Sequence, residues 1–459
     1  MPVTLERCNT PNDLLHRLVR EGLPELRRAL DEADRQLPRY VERELEQFTT
    51  CGDPSLGFAW LKCESKGRGI CPSCGGRRMA ERAARWVDGL LPRTAVRQWV
   101  VTFPWPRRWL LARKPELLKG VATQVIAELS HWYRRHARRR GHKDAQCGAI
   151  VVVQRFGSGL ELNLHFHILM PDGYFATDPK TGAVRFFRDA GPSTAEVGAV
   201  VLRIAERAEK WLAQQGFGPD DDAQEEEDPD DALPLMQAAS IQGRLALGPR
   251  AGRKAQTTQV VGGRRWELPP RCATADGYCV HAGVVIGARN RSGLERLCRY
   301  VCRPPLAKER LVELPDGSLR LRLKTPWRDG TTSLHLSRLE FLQRIAAIIP
   351  PPKSNQVLYY GCLAPRGKLR RAVVPKPLAR RRRIRAADKL VAPEQASEKS
   401  RWMPWAYLLR RVFDAQGWNC PCCEKRMVLR AVVKGPPASL RILSGLTASS
   451  RGPPEVATG

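Results

Sequence analysis

Ala149-Ile150-Val151-Val152-Val153-Gln154-Arg155-Phe156 is followed by Gly157-Ser158-Gly159 and, two residues on, by Leu162-Asn163-Leu164-His165-Phe166-His167-Ile168-Leu169-Met170. Two apolar, β-rich runs around glycine-rich turn chemistry predict a β-hairpin over 148–170. Side chains alternate along a strand, so His165 and His167 share one face of the return strand while Phe166 packs into a core behind them. Two imidazoles on one face can meet one divalent cation and leave positions open for water and a phosphate oxygen, the arrangement of a Lewis-acid phosphodiester enzyme. The plain alternative is two histidines satisfied within the fold. A third ligand should come from nearby: Gln154 on the paired strand first, Glu161 second.

Outward from the hairpin the pattern is mixed. Val96 to Phe103 reads as a strand ended by Pro104 and Pro106, and about 115–139 as a helix closing on a basic run, Arg134 to Arg140. Residues 11–48 have helical periodicity (Leu14, Leu15, Leu18, Leu23, Leu26, Leu30), as do 77–91 (Met79, Ala83, Trp86, Val87, Leu90). Strand-like segments return near 241–247 and 278–286. A helix then starts at Ser292, with Glu295 completing a capping box, and stops at Pro304-Pro305. The acidic stretch 218–234 reads as a disordered or surface insertion. From about 374 the chain is Arg- and Pro-rich, with a short helix near 404–414. The expected class is α+β around a central antiparallel sheet. Its parts are a helical segment at 1–50, a cysteine module at 51–91, the hairpin-bearing domain at 92–310 and a basic C-terminal region at 311–459.

The chain of 459 residues carries a formal charge of +30. Nine acidic residues crowd into Asp220 to Asp231, so the remainder carries +39. A surface this basic seeks a polyanion, of which nucleic acid is the usual one, although membranes and ribosomes attract the same charge. No apolar stretch approaches a membrane span and Met1 to Arg17 has no signal core, which predicts a cytoplasmic protein. Cytosolic thiols stay reduced, so the fourteen cysteines do not read as a disulfide framework. Cys51, Cys63, Cys71 and Cys74 can close a tetrahedral, structural zinc site with no position left open, against the plain reading of free thiols. Cys420 and Cys423 have knuckle spacing without a second pair and offer a second metal site, or half of one completed elsewhere.

Two more segments carry chemistry. Tyr300 lies in Arg296-Leu297-Cys298-Arg299-Tyr300-Val301-Cys302-Arg303. A phenol is a poor nucleophile at neutral pH, so a phosphate-attacking tyrosine needs cations such as Arg299 and Arg303, or a metal-polarised phosphate. Read alone, a tyrosine on an amphipathic helix is a boundary residue. Lys324-Thr325-Pro326-Trp327-Arg328-Asp329-Gly330-Thr331-Thr332 mixes cations, a stacking ring and hydroxyls that suit single-stranded DNA, while an ordinary turn between strands explains it equally well.

Taken together the motifs resemble one family. Cys71-Pro-Ser-Cys-Gly-Gly-Arg-Arg-Met, Gln154-Arg-Phe-Gly-Ser, Asn163-Leu-His-Phe-His, Leu247-Gly-Pro-Arg-Ala-Gly, Arg299-Tyr-Val-Cys-Arg-Pro-Pro-Leu, Leu323-Lys-Thr-Pro-Trp-Arg-Asp-Gly-Thr-Thr and Leu363-Ala-Pro occur in the order of rolling-circle insertion-sequence transposases with an N-terminal zinc module, including the common-region (ISCR-like) elements. The resemblance spans about Cys51 to Cys423. It implies a bacterial enzyme of the HUH class, with a ferredoxin-like domain and a Mg2+ or Mn2+ ion on His165 and His167. It implies Tyr300 as nucleophile, forming a 5′-phosphotyrosine on single-stranded element ends, with Arg299, Arg303, Lys324, Trp327 and Arg328 on DNA. Two-tyrosine relatives carry a second tyrosine one turn earlier, where this chain has Arg296, so it resembles a single-tyrosine member. Replication initiators and relaxases share this chemistry, and a non-catalytic zinc DNA-binding protein is the reading from another class.

Overall fold

The computed structural model describes residues 14–49, 72–178, 180–218, 228–259 and 267–375, with Leu408, Arg411 and Val412 beyond them. The elements run α1 (Leu14–Asp31), α2 (Arg39–Thr49), α3 (Pro72–Gly89), β1 (Val96–Thr102), α4 (Trp105–Arg113), α5 (Pro115–Arg139), β2 (Gly148–Phe156), β3 (Leu162–Pro171), β4 (Gly173–Thr177), β5 (Val184–Arg188), α6 (Thr194–Gln214) and α7 (Leu233–Ile241). There follow β6 (Gln256–Gln259), β7 (Cys272–Ala275), β8 (Tyr278–Ile286), α8 (Arg291–Val301), β9 (Leu311–Glu313), β10 (Leu319–Arg322), β11 (Thr331–Leu336), α9 (Arg338–Ile348), β12 (Val357–Gly361) and α10 (Arg370–Val373). Among the described residues, no helix is long and apolar enough to cross a membrane.

The hairpin forms as its sequence requires and lies inside a six-stranded antiparallel sheet of order β12-β2-β3-β1-β8-β7. Setting aside α4, the β4-β5 ribbon, α7, β6 and β7, the chain runs β1, α5, β2, β3, α6, β8, and these strands lie side by side as β2-β3-β1-β8. One sheet face carries Trp99, Val101, Phe103, Val151, Val153, Phe166 and Ile168 in a core shared with α5 and α6. Phe166 is fully buried there, edge-on to Phe103 at 4.9 Å between ring centroids. The other face carries Ile150, Val152 and Leu169, in a second core that includes Leu294, Leu297 and Val301 of α8 and Trp86 and Val87 of α3. A four-stranded sheet, β6-β11-β10-β9, and a ribbon, β4-β5, complete the strands.

Several expectations need correction. The periodic segment 11–48 is helical as expected where it is described, in two helices, because the chain turns at 32–38, where Asp34 takes a positive φ of 52° and Pro38 precedes α2. Residues 242–247 are not a strand. Gly243 adopts φ 70°, and the N–H groups of Ala246 and Leu247 donate to the Gln343 side-chain oxygen (3.0 and 2.9 Å) instead of a ladder. The tyrosine helix is capped by Asn290, whose side chain accepts from Gly293 N at 2.8 Å, and not by Ser292. Glu295 is drawn off instead by Arg411, at 2.8 and 2.9 Å. That same guanidinium reaches Asp88 at 2.6 Å, so a C-terminal residue joins α3 to α8. Leu408, Arg411 and Val412 fall within the helix expected at 404–414.

Candidate active site

The centre of the sheet face covered by α3 and α8 carries the polar residues. In register, His165 pairs with Thr102 and Gln154, and His167 with Val100 and Val152, so both imidazoles and the Gln154 amide stand on one face. The two rings are 4.9 Å apart between centroids. His165 Nδ1 lies 2.6 Å from the Asn163 carbonyl oxygen, which fixes the proton on Nδ1 and leaves the Nε2 lone pair available. Gln98 Nε2 stands 2.7 Å from His167 Nδ1, and His167 Nε2 is 3.4 Å from Gln154 Oε1, so here Nδ1 accepts and Nε2 carries the proton; turning the Gln98 amide over, so that its oxygen accepts from Nδ1–H, frees the Nε2 lone pair. Burial pushes the His165 imidazolium down to about 4, and burial with the His165, Arg303 and Lys324 charges pushes His167 well below its ordinary value. Both rings are therefore neutral near pH 7, as ligation demands.

Tyr300 is brought to this pair. Helix α8 buries Leu294, Leu297, Cys298 and Val301 and leaves Tyr300 at its C-terminal end 38% exposed. Its ring is 5.7 Å from that of His167, edge to face. Gln154 ties the same helix end to the sheet, donating from Nε2 to the Val301 carbonyl at 3.3 Å. Thus Gln154 touches both His167 and the tyrosine helix. Glu161 faces elsewhere: its Oε2 accepts from Gly159 N at 2.8 Å, closing the hairpin turn, and burial raises its carboxyl above the usual range.

Among the described residues, the cations over the phenol ring are Arg303, with Cζ 4.9 Å from the centroid, and Lys324, with Nζ at 4.3 Å. Arg299 is not one of them. Burial and the Arg303 and Arg310 charges lower the Lys324 ammonium, and burial with the Arg303 charge lowers Arg310. Lys324 arrives on the connection between β10 and β11, so the Lys-Thr-Pro-Trp-Arg-Asp-Gly segment is a turn that also delivers a cation to the site. Trp327 is half-buried, donating from Nε1 to Ser158 Oγ at 3.0 Å, and Gly159 lies so close that an added Cβ would stand 3.0 Å from its ring. The indole fastens the turn to the hairpin. Arg328 is exposed.

With the Gln98 amide turned to accept from His167 Nδ1, the donor set suits a divalent metal: two neutral imidazole nitrogens and a carboxamide oxygen stand on one face, with partners behind that orient them. Among the described residues no cluster of three His, Cys, Asp or Glu side chains is placed to hold an ion; the polar group beside the two imidazoles on their face is the Gln154 amide. Cys51, Cys63, Cys71, Cys420 and Cys423 lie outside the described residues, and Cys74 falls in the first turn of α3. Sequence reasoning missed Gln98, Arg310 and Arg108, whose charge acts on His165. For Gln98 a signal existed, since it is the one amide in the apolar run Val96 to Val101; the two arginines carried none among so many.

The model of one family, Y2_Tnp, whose description reads "Putative transposase", matches residues 148–371, a little under half of the chain. That span holds the histidine pair, Gln154, Tyr300 and Lys324, and the match supports a transposase, a DNA-processing enzyme. No curated protein and no solved structure matches the chain.

Proposed function

We propose that this protein is a rolling-circle transposase of the HUH–tyrosine class, cleaving and rejoining single-stranded DNA at element ends through a 5′-phosphotyrosine at Tyr300. The observation that carries the proposal is the 5.7 Å approach of the Tyr300 ring to His167, two residues distant in sequence that no packing rule of helix or strand requires to meet. The βαββαβ order of β1, α5, β2, β3, α6 and β8 supports a ferredoxin-like core, with the histidine strand central.

His165, His167 and Gln154 would hold Mg2+ or Mn2+, which supplies Lewis-acid polarisation of a phosphate oxygen when bound. Asn163 and Gln98 fix the imidazoles behind it. Tyr300 attacks phosphorus through its phenolic oxygen, the bond to the 3′ oxygen breaks, and that oxygen leaves as a 3′-hydroxyl after taking a proton. The phosphate stays on tyrosine, so a later 3′-hydroxyl can attack the same phosphorus and rejoin strands without ATP. Arg303 and Lys324 offset charge on the phosphate oxygens. The zinc module of Cys51, Cys63, Cys71 and Cys74 belongs to the proposal as a DNA-holding unit. Its last cysteine, Cys74, lies in α3, and α3 packs on the tyrosine helix, with Gly75 against Pro304. Incubation with single-stranded oligonucleotides from element ends, read as a covalent protein–DNA band, tests the reading; a chain that binds such DNA and never cuts it is the non-catalytic alternative.

A further inference from the structure

We infer that the divalent cation and the DNA strand enter this site as a coupled pair, the cation binding weakly to the free protein and tightly once phosphates occupy the cationic rim. The inference rests on the proposed metal role of His165, His167 and Gln154. Those three donors are all neutral. The charges acting on the two imidazoles from outside the pair are those of Arg108, Arg303 and Lys324, and Arg310 acts in turn on Lys324.

The Glu161 carboxyl offsets part of the charge of Arg108 and Arg310, whereas the charges acting on Lys324 are those of the cations Arg303 and Arg310. Arg108 Nε donates to the Phe103 carbonyl at 2.6 Å, and Arg310 to the carbonyls of Arg322 (2.8 Å) and Ser158. Arg303 Nε is buried with no acceptor among the described residues, and its Cζ lies over the Tyr300 and Phe156 rings. The nearby carboxyl, Glu161, is turned into the hairpin turn. A divalent cation would add two positive charges to this group, and like charges in a partly desolvated site repel far more than in bulk water. Phosphates reverse the sign of that field. Each partner then raises the other's affinity by the same factor.

The test is Mn2+ titration of the full chain carrying Tyr300→Phe, which prevents cleavage during the measurement, with free Mn2+ read by electron paramagnetic resonance. It is done with and without a saturating single-stranded oligonucleotide of mixed sequence, since phosphate contacts position a strand without reading it. A His165→Ala/His167→Ala double variant subtracts Mn2+ held by DNA or by other protein groups. The histidine-dependent Kd should fall at least about tenfold when DNA is present, an effect of the size one or two unit charges exert across such a site. Lys324→Gln, on an exposed side chain, should tighten Mn2+ binding to the free protein severalfold and shrink the gain from DNA. Equal Mn2+ affinity with and without DNA overturns the coupling and leaves the metal site standing. So does a Lys324→Gln variant that binds Mn2+ no better. Absence of any histidine-dependent Mn2+ site in either state overturns the metal reading and the coupling together.

Discussion

His167 is held at both ring nitrogens, by the Gln98 amide at Nδ1 (2.7 Å) and by Gln154 beside Nε2 (3.4 Å), so its plane is set before any ligand arrives. Gln98 is the less obvious partner, because it touches neither the candidate ion nor Tyr300. Replacing it by Leu keeps the buried volume but removes the orienting amide, and should weaken histidine-dependent Mn2+ binding in the presence of DNA by about 10–100-fold. An unchanged Kd would assign Gln98 to packing alone. His165→Ala or His167→Ala should lower cleavage by at least about 10³-fold while DNA affinity is kept, since a bound cation contributes several kcal/mol to phosphate chemistry and little to holding the strand. A double variant that nicks at the wild-type rate removes the pair from the mechanism. The histidines were legible because strand alternation alone places residues i and i+2 together. Lys324 was legible as a DNA contact, but its approach to Tyr300 was not: it arrives on the connection between β10 and β11, a long-range arrangement that leaves no local pattern in a chain with 77 Lys and Arg.

Elements tell a similar story. The hairpin and the helix at 115–139 were readable, because period-2 and period-3.6 patterns with Gly and Pro punctuation are local signals. The cap of α8 was misread because Asn290 and Ser292 both offer suitable side chains, and Arg411, far along the chain, decides what Glu295 does. Residues 242–247 were misread because buried leucines look alike in a strand and in a loop tied down by Gln343. One buried pair holds the core sheet. Arg97 of β1 binds Asp172, just past β3, through Nε at 2.7 Å and Nη2 at 2.9 Å, and reaches the Ala282 carbonyl of β8 at 2.7 Å. Asp172→Ala leaves a guanidinium buried without its counter-charge and should cost about 3–5 kcal/mol, read as a shift in the urea midpoint; a shift equivalent to under about 1 kcal/mol, the scale of an exposed pair, would contradict the burial argument. In the N-terminal module, Cys71→Ser/Cys74→Ser should release about one equivalent of zinc and loosen the region leading into α3. Purified wild-type protein free of zinc would remove the module from the account.

For the whole molecule, a charge of +30 and basic runs such as Arg134 to Arg140 make DNA binding chiefly a matter of phosphate contacts. Affinity should fall by roughly 10²-fold or more between about 50 and 200 mM salt if about six phosphates are neutralised, and a flat response would assign the charge to another partner. The match over 148–371 places the histidine pair and the tyrosine helix inside one transposase-like unit, and the proposed chemistry requires that only one of the eight tyrosines forms a bond to DNA. Tyr300 stands beside His167 under Arg303 and Lys324, and Arg296, one turn earlier, has no hydroxyl to offer. The direct measurement is mass spectrometry of the covalent adduct trapped on a single-stranded element end. The account predicts a single 5′-phosphotyrosine at Tyr300, absent from a folded Tyr300→Phe variant; an adduct on Tyr174, Tyr278 or any other tyrosine, or one that persists in the Phe variant, would contradict it.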